Sequence, residues 1–450
     1  MNDSGTGAPQ PLKVTFWAAF AYWLKLGFIS FGGPAGQIAI MHEELVERRR
    51  WISENRFLHA LNYCMVLPGP EAQQLAIYIG WLMHRTAGGI VAGVLFVLPS
   101  LFILIALSWI YMAFGSVPAI AGLFYGIKPA VTALVMHAAW RIGSRALKNA
   151  WLWCISLSAF LAIFLLQLPF PLIVLAAGVA GYVGGRVSPQ RFAAGGQHGK
   201  AGKDTSAGAA LIDDDTPPPS HARFAWRRFA RQLLVFLSLW ATAIGLLVAC
   251  FGMDAVLTQM GLFFTKAALL TFGGAYAVLP YVFQGAVEHY HWLSAPQMID
   301  GLALGETTPG PLIMVVSFVG FVGGWSRAVL GTDMLFLSGA LAATVVTYFT
   351  FLPSFMMILL GGPFIESTHG NLKFTAPLTG ITAAVVGVIV NLAVFFAWHV
   401  LWPQGWQGRF EWPAAVIGAA AFAALFRLKR GVIEVVLVSG AAGMAWTLLN

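Results

Sequence analysis

Long apolar runs separated by short polar or Gly/Pro-rich breaks set the pattern of this chain. Runs at 88–113, 117–138, 149–167 and 168–185 return as 333–360, 375–400, 412–427 and 431–449, and one more, 232–251, has no counterpart. About twenty apolar residues cross a hydrocarbon core of about 30 Å as one helix. The pattern therefore predicts an all-α polytopic membrane protein. Two further apolar stretches are interrupted: 14–47 at Phe31-Gly32-Gly33-Pro34, and 57–83 at Pro68-Gly69-Pro70. The arms of the second have 11 and 13 residues, so each reaches roughly 16–20 Å and spans nothing alone. Such a segment is either one broken crossing or a hairpin that enters and returns.

Composition sharpens this picture. Of 450 residues, 58% are hydrophobic and 10% charged, whereas about a quarter of a soluble protein is charged. Soluble enzymes, secreted disulfide scaffolds and nucleic-acid-binding domains are excluded. The net charge of +8 reads as cytoplasmic loop charge. Cys64, Cys154 and Cys250 lie in apolar surroundings without metal-ligand spacing, so no metal, disulfide framework or cofactor is expected. The stretch Met1–Val14 lacks the basic start and cleavage site of a signal peptide, so the first apolar segment is expected to stay.

The chain is duplicated. Laid on residues 272–311 at a constant offset of 241, residues 31–70 give eleven identities in forty pairs, among them Phe31/Phe272, Gly32/Gly273, Gly33/Gly274, Trp51/Trp292, Pro68/Pro309, Gly69/Gly310 and Pro70/Pro311. Chance would supply roughly two to four in a composition this biased. The same offset pairs Lys25 with Lys266 and Ser30 with Thr271, and a Leu-Pro-Ser recurs at 98–100 and 352–354. The expected organisation is a repeat over 14–185, a basic cytoplasmic linker over 186–231, an unpaired helix over 232–251 and a second repeat over 255–449. The linker holds eight basic and four acidic residues with Gly-, Asp- and Pro-rich runs, and reads as disordered.

With the linker in the cytoplasm, Arg141, Arg145 and Lys148 also fall inside, and the odd helix starts the second copy from the opposite side. That is the inverted-repeat plan of secondary transporters. Two re-entrant hairpins keep Arg48, Arg49 and Arg50 inside, and two broken crossings would place them outside, so the hairpin reading is preferred. The N-terminus is then cytoplasmic and the C-terminus periplasmic.

Bare backbone at membrane depth is tolerated only beside protein or a watery cavity. Helices starting near Pro34, Pro70 and Pro311 would aim free N–H groups and positive dipole ends at the breaks, which makes an anion site. Pro and Gly that merely kink packed helices are the plainer reading. Lys25 and Lys266, each inside an apolar run, are candidate site cations because an intramembrane Lys needs a cavity or a partner. The candidate substrate-binding set is Lys25, Lys266, Ser30, Thr271, Gly32, Gly33, Gly273, Gly274, Pro68, Gly69, Pro70, Thr308, Pro309, Gly310 and Pro311. Thr307, Asn62, Gln73 and Gln74 are weaker hydrogen-bonding candidates. Glu71 and Glu306 flank the two Pro-Gly-Pro motifs, and carboxylates beside an anion site are expected to carry a proton during a cycle. For Glu71 in a first helical turn, simple dipole complementation is equally open. No catalytic residue, metal site or ATP-binding module is legible.

The run Lys25-Leu26-Gly27-Phe28-Ile29-Ser30-Phe31-Gly32-Gly33-Pro34, the stretch His42 to Trp51, and Leu67-Pro68-Gly69-Pro70 resemble the first half of the chromate ion transporter family. Thr271-Phe272-Gly273-Gly274 and Gly305-Glu306-Thr307-Thr308-Pro309-Gly310-Pro311 resemble its second half. The resemblance covers both halves but not the linker. It implies a bacterial inner-membrane exporter of chromate driven by the proton gradient or membrane potential, with oppositely oriented halves. The family's usual thirteen-span description corresponds to broken crossings rather than hairpins. Some members are associated with sulfate, a tetrahedral dianion of the same charge and shape. A passive anion channel is a rival of another class.

Overall fold

Helix starts follow from the side chains the sequence supplies. In the computed structural model, which describes residues 14–192, 210–214, 216–217, 219–272, 274–367 and 375–449, helix α1 (Phe16–Ile29) is capped by Thr15. The chain breaks at Ser30–Gly32 and resumes as α2 (Gly33–His42), then widens into a π-turn over Glu43–Arg48. Ser53 caps α3 (Glu54–Cys64), and Pro70 precedes α4 (Glu71–Phe114). Helix α4 is really two arms, because His84 and Arg85 leave helical geometry (φ −132° and +56°). Then come α5 (Pro118–Ala146), α6 (Ala150–Phe164), α7 (Phe170–Val187) and the short α8 (Pro189–Phe192).

The unpaired α9 (Trp226–Phe251) follows the linker, and the plan then repeats. The second copy comprises α10 (Val256–Leu269), α11 (Ala275–Phe283), a π-turn over Gln284–His289, α12 (Ala295–Thr307), α13 (Val315–Ser326), α14 (Leu335–Ser367), α15 (Thr375–Leu401), α16 (Trp412–Phe426) and α17 (Val432–Leu449). Among the described residues seven helices are long and apolar enough to cross a membrane, and no named strand occurs.

The 241-residue offset survives at the level of single hydrogen bonds. Trp51 N–H donates to Leu45 O and Trp292 N–H to Ala286 O, both at 2.8 Å. Arg50 and His291 both sit in the left-handed region, at φ +51° and +52°, a conformation costing an L residue about 1–2 kcal/mol. The Ser30 hydroxyl donates to Leu26 O at 2.6 Å, and the Thr271 hydroxyl to Ala267 O at 2.7 Å. Two copies therefore fold the same local structure, strain included.

Both interrupted stretches of the first half double back. A helix running straight from Gly33 would carry Arg49 about 24 Å onward. Instead the Arg49 guanidinium lies 5.3 Å from the Tyr22 ring in α1, and Trp51 lies 5.3 Å from the same ring. The start of α1, the end of the π-turn, the His84 kink and the linker all gather on one face, called here the linker face. Leu211 N–H donates to Arg50 O at 2.9 Å, Ser53 N–H to Ile212 O at 2.9 Å, and His84 and His221 ring nitrogens meet Val14 O and Trp81 O. This corrects the expectation of a wholly disordered linker. Ile212 and Ala222 are buried with the hairpin core, and Asp214 accepts from Ser53 and Asn55. Apolar side chains inside a polar, Gly-rich run anchor it.

Candidate functional site

A cleft of about 780 Å³ opens between the first-half hairpins and helices α5, α11 and α15. His42, Glu43, Glu47 and Glu54 stand on one wall, Arg141 and Arg145 of α5 on the other, and Pro34, Glu71, Gly274 and Tyr276 complete the lining. His42 is held by Glu47 at 3.2 Å and by Glu54. Next to this wall Glu44 pairs with Arg49 at 2.7 Å and Arg48 at 3.6 Å. The hydrogen bond from Arg49 holds the Glu44 carboxyl below its ordinary range.

Three helix beginnings line this one cleft. Pro34 and Ala35 open α2, Glu71 opens α4, and Gly274, Ala275 and Tyr276 open α11. The first N–H groups of a helix have no partner within it and carry its positive partial charge, so their convergence suits an anion. Gly274 is held at φ +95°, a conformation that calls for glycine, and a Cβ there would stand 3.7 Å from Glu71 Oε1, an ordinary contact distance, so the α11 start and the Glu71 carboxylate are neighbours. On the other side of the α11 start, the Tyr276 hydroxyl donates to buried Glu306, and Arg141 acts electrostatically on both. Glu71 and Glu306 thus flank one helix start, although the repeat offset does not relate them.

The Pro-Gly-Pro motifs do something else. Gly69 N–H donates to Thr271 O at 2.8 Å, and Gly310 N–H donates to Ser30 O at 2.9 Å. Each half's glycine is latched to the other half's break. A Cβ on Gly69 would meet Gln74 Nε2 and Ser354 Oγ at 2.5 Å, and one on Gly310 would meet Ser100 Cβ at 2.7 Å, so the recurring Leu-Pro-Ser serines close over these latches. Gln37, buried, donates to Gly310 O at 2.6 Å, and Gln74 to Pro68 O at 2.7 Å.

The expectation that Gly69 and Gly310 offer free donors to an anion is therefore corrected: their N–H groups are already spent. So are the hydroxyls of Ser30 and Thr271, and Thr308 donates to Gly305 O at 3.2 Å. Pro70 is the N-cap of α4 and Pro311 that of a 3-10 turn, Leu312–Met314, that leads into α13, while Pro68 and Pro309 hold the turns. Gly32 and Gly33 supply positive φ at the α2 start, +85° and +69°. Gly273 lies outside the described residues.

Lys25 and Lys266 are both exposed and neither lines the cleft. Ala19, Tyr22, Trp23, Leu26 and Gly27 form the buried face of α1, and helical periodicity leaves Lys25 outside it. The cleft cations are Arg141 and Arg145, four residues apart and so on one face of α5. In sequence they read as markers of orientation, and that spacing is the signal that could have identified them. Gln73 is fully buried with no hydrogen-bond partner for either amide atom among the described residues.

A family model described as chromate transporter matches residues 17–182 and 258–444, both copies and neither linker nor α9. The chain belongs to the chromate transporter family. A chromate transport protein of Pseudomonas aeruginosa is 32% identical over 98% of this chain and 95% of its own length. A chromate transport protein of Cupriavidus metallidurans is 29% identical over 94% and 90%, and a probable one of Synechococcus elongatus is 27% identical over 94% and 93%. No solved structure matches significantly. Members of the chromate transporter family are transporters rather than enzymes. The family match divides where the 241-residue offset divides the chain, and it makes this a multi-pass membrane protein with two repeats.

Proposed function

We propose that the chain is a secondary active exporter of chromate in a bacterial inner membrane, driven by the proton gradient or the membrane potential. The observation that carries this reading is the meeting of three helix N-termini with Arg141 and Arg145 in one cleft. A tetrahedral dianion is recognised by several N–H donors and positive charge without a rigid cage. Glu71 and Glu306, on either side of the α11 start, are the proton-coupling groups in this mechanism. Protonation of either removes a negative charge next to the anion, so proton and anion occupancy are linked.

The repeats lie in opposite orientations, with the linker face cytoplasmic, the first-half hairpins re-entrant from that face, and residue 450 periplasmic. The arginine-rich turn docked on the linker supports this orientation. Rocking of one repeat against the other would open the cleft alternately to each side. A cysteine at position 49 in a cysteine-free background is expected to react with impermeant reagent only from the cytoplasmic side; reaction only from outside would establish broken crossings.

Radiolabelled chromate flux into proteoliposomes, with and without an imposed proton gradient, tests the proposal. Accumulation that ionophore abolishes is expected. Flux only down the chromate gradient would favour a passive channel. Sulfate has the geometry the cleft would read, so potent competition by sulfate would make sulfate the cargo and chromate its mimic.

A further inference from the structure

Away from the cleft, a basic pocket of about 280 Å³ lies on the linker face where α9 begins and α4 kinks. Arg85, Arg228, Arg231 and His221 line it, with no acidic residue among its lining. Arg228 is fixed by carbonyl oxygens of Ser220, His221 and Arg223. Arg85 and Arg231 form no ion pair among the described residues. Arg85 is presented from the α4 kink at φ +56°, a conformation L residues seldom adopt.

This pocket is continuous with an apolar groove of about 640 Å³ between α4, α9 and α14; Thr86, Arg231, Gln232 and Leu359 belong to both. On α9, Arg231, Val235 and Leu239 follow at four-residue spacing along the groove, so the cation stands directly above the apolar positions on one helix face. Leu247 is the only buried residue of α9; at its linker end the helix touches α14 through the Phe229 and Phe364 rings, 6.4 Å apart, and the groove runs beside that contact.

We propose that this composite site holds one anionic glycerophospholipid, its phosphate among Arg85, Arg228 and Arg231 and an acyl chain in the groove against Val235 and Leu239. The charge selects the occupant. Basic pockets between transmembrane helices on the cytoplasmic side take anionic headgroups, and a free oxyanion would leave the contiguous apolar groove unexplained. The lipid would seat α9, the one helix the duplication does not pair, against both halves.

Native mass spectrometry of the full chain, exchanged from detergent into phosphatidylglycerol or phosphatidylcholine, tests this inference independently of transport. One phosphatidylglycerol per chain is expected to persist under activation that strips phosphatidylcholine. Each Arg is worth about a factor of five in binding an anionic headgroup, so Arg85→Gln/Arg231→Gln should weaken retention roughly 25-fold. Val235→Trp, which fills the groove and leaves the arginines in place, should also lose the lipid, and this variant guards against misfolding of the double mutant. Equal retention of phosphatidylcholine, full retention by Val235→Trp, or displacement of the lipid by inorganic phosphate alone would each overturn the proposal.

Discussion

In the first half, α2 and α3 stand away from α5 and α15 and leave the charged cleft between them. In the second half the equivalent helices, α11 and α12, are closely packed and the charge they hold is buried: Asp300 of α12 pairs with Lys128 at 3.4 Å, and Glu306 accepts from Tyr276. At the repeat offset His42 becomes Phe283, Glu54 becomes Ala295 and Glu71 becomes Leu312. Phe283 meets the Phe395 ring at 4.5 Å, and Phe283 and Leu312 are both nearly inaccessible. The same backbone plan, down to π-turns and strained residues, lines an open charged cleft in one copy and closes over buried charge in the other. Which copy encloses a polar space is decided by a few side chains at positions where the copies differ.

That comparison breaks most readily at Arg141. Arg141→Gln removes one of the two cleft arginines and is expected to lower chromate flux in proteoliposomes by at least tenfold; flux within twofold of wild type would move the site elsewhere. Glu306→Gln, tested beside it, should leave chromate flux that no longer responds to an imposed proton gradient.

The latches should answer alike in both halves because they cross. Gly69→Ala and Gly310→Ala each place a Cβ in contact with the opposite half's serine, at φ +130° and +106°. Strain and overlap together cost about 4 kcal/mol, seen as a comparable fall in thermal midpoint in detergent. A large loss in only one would show that the latches are unequal. On the closed side, Phe283→Ala is expected to destabilise by about 3 kcal/mol and to let impermeant reagent reach a cysteine at position 302; unchanged labelling would mean that Phe283 does not seal that side. The smallest effect belongs to Lys25→Gln and Lys266→Gln, whose side chains face outward: flux should stay within twofold of wild type. Loss of flux in both would return the lysines to the site.

Much of this architecture is legible from sequence because duplication repeats it. The offset of 241 finds equivalent turns without knowledge of their shape, and Pro and Gly mark where helices stop. Facing is harder. Helix α1 is apolar on nearly every side, so no polar stripe tells which way Lys25 points. The latches were beyond reach for another reason: the partner of Gly69 N–H lies some two hundred residues away, and nothing local says that a donor is already spent. Arg141 was visible but ambiguous, since an arginine near a helix end marks orientation and lines a cleft equally well.

The crossed latches also impose an order on biosynthesis. The ribosome delivers Ser30 and Gly69 long before Thr271 and Gly310 exist, so the first half enters the membrane with Gly69 N–H lacking its Thr271 partner and with Ser30 O held only by Gln37 of its own half at 3.3 Å. Completion of the second copy is the event that closes both breaks at once, so the nascent chain matures as one unit rather than as two domains in succession.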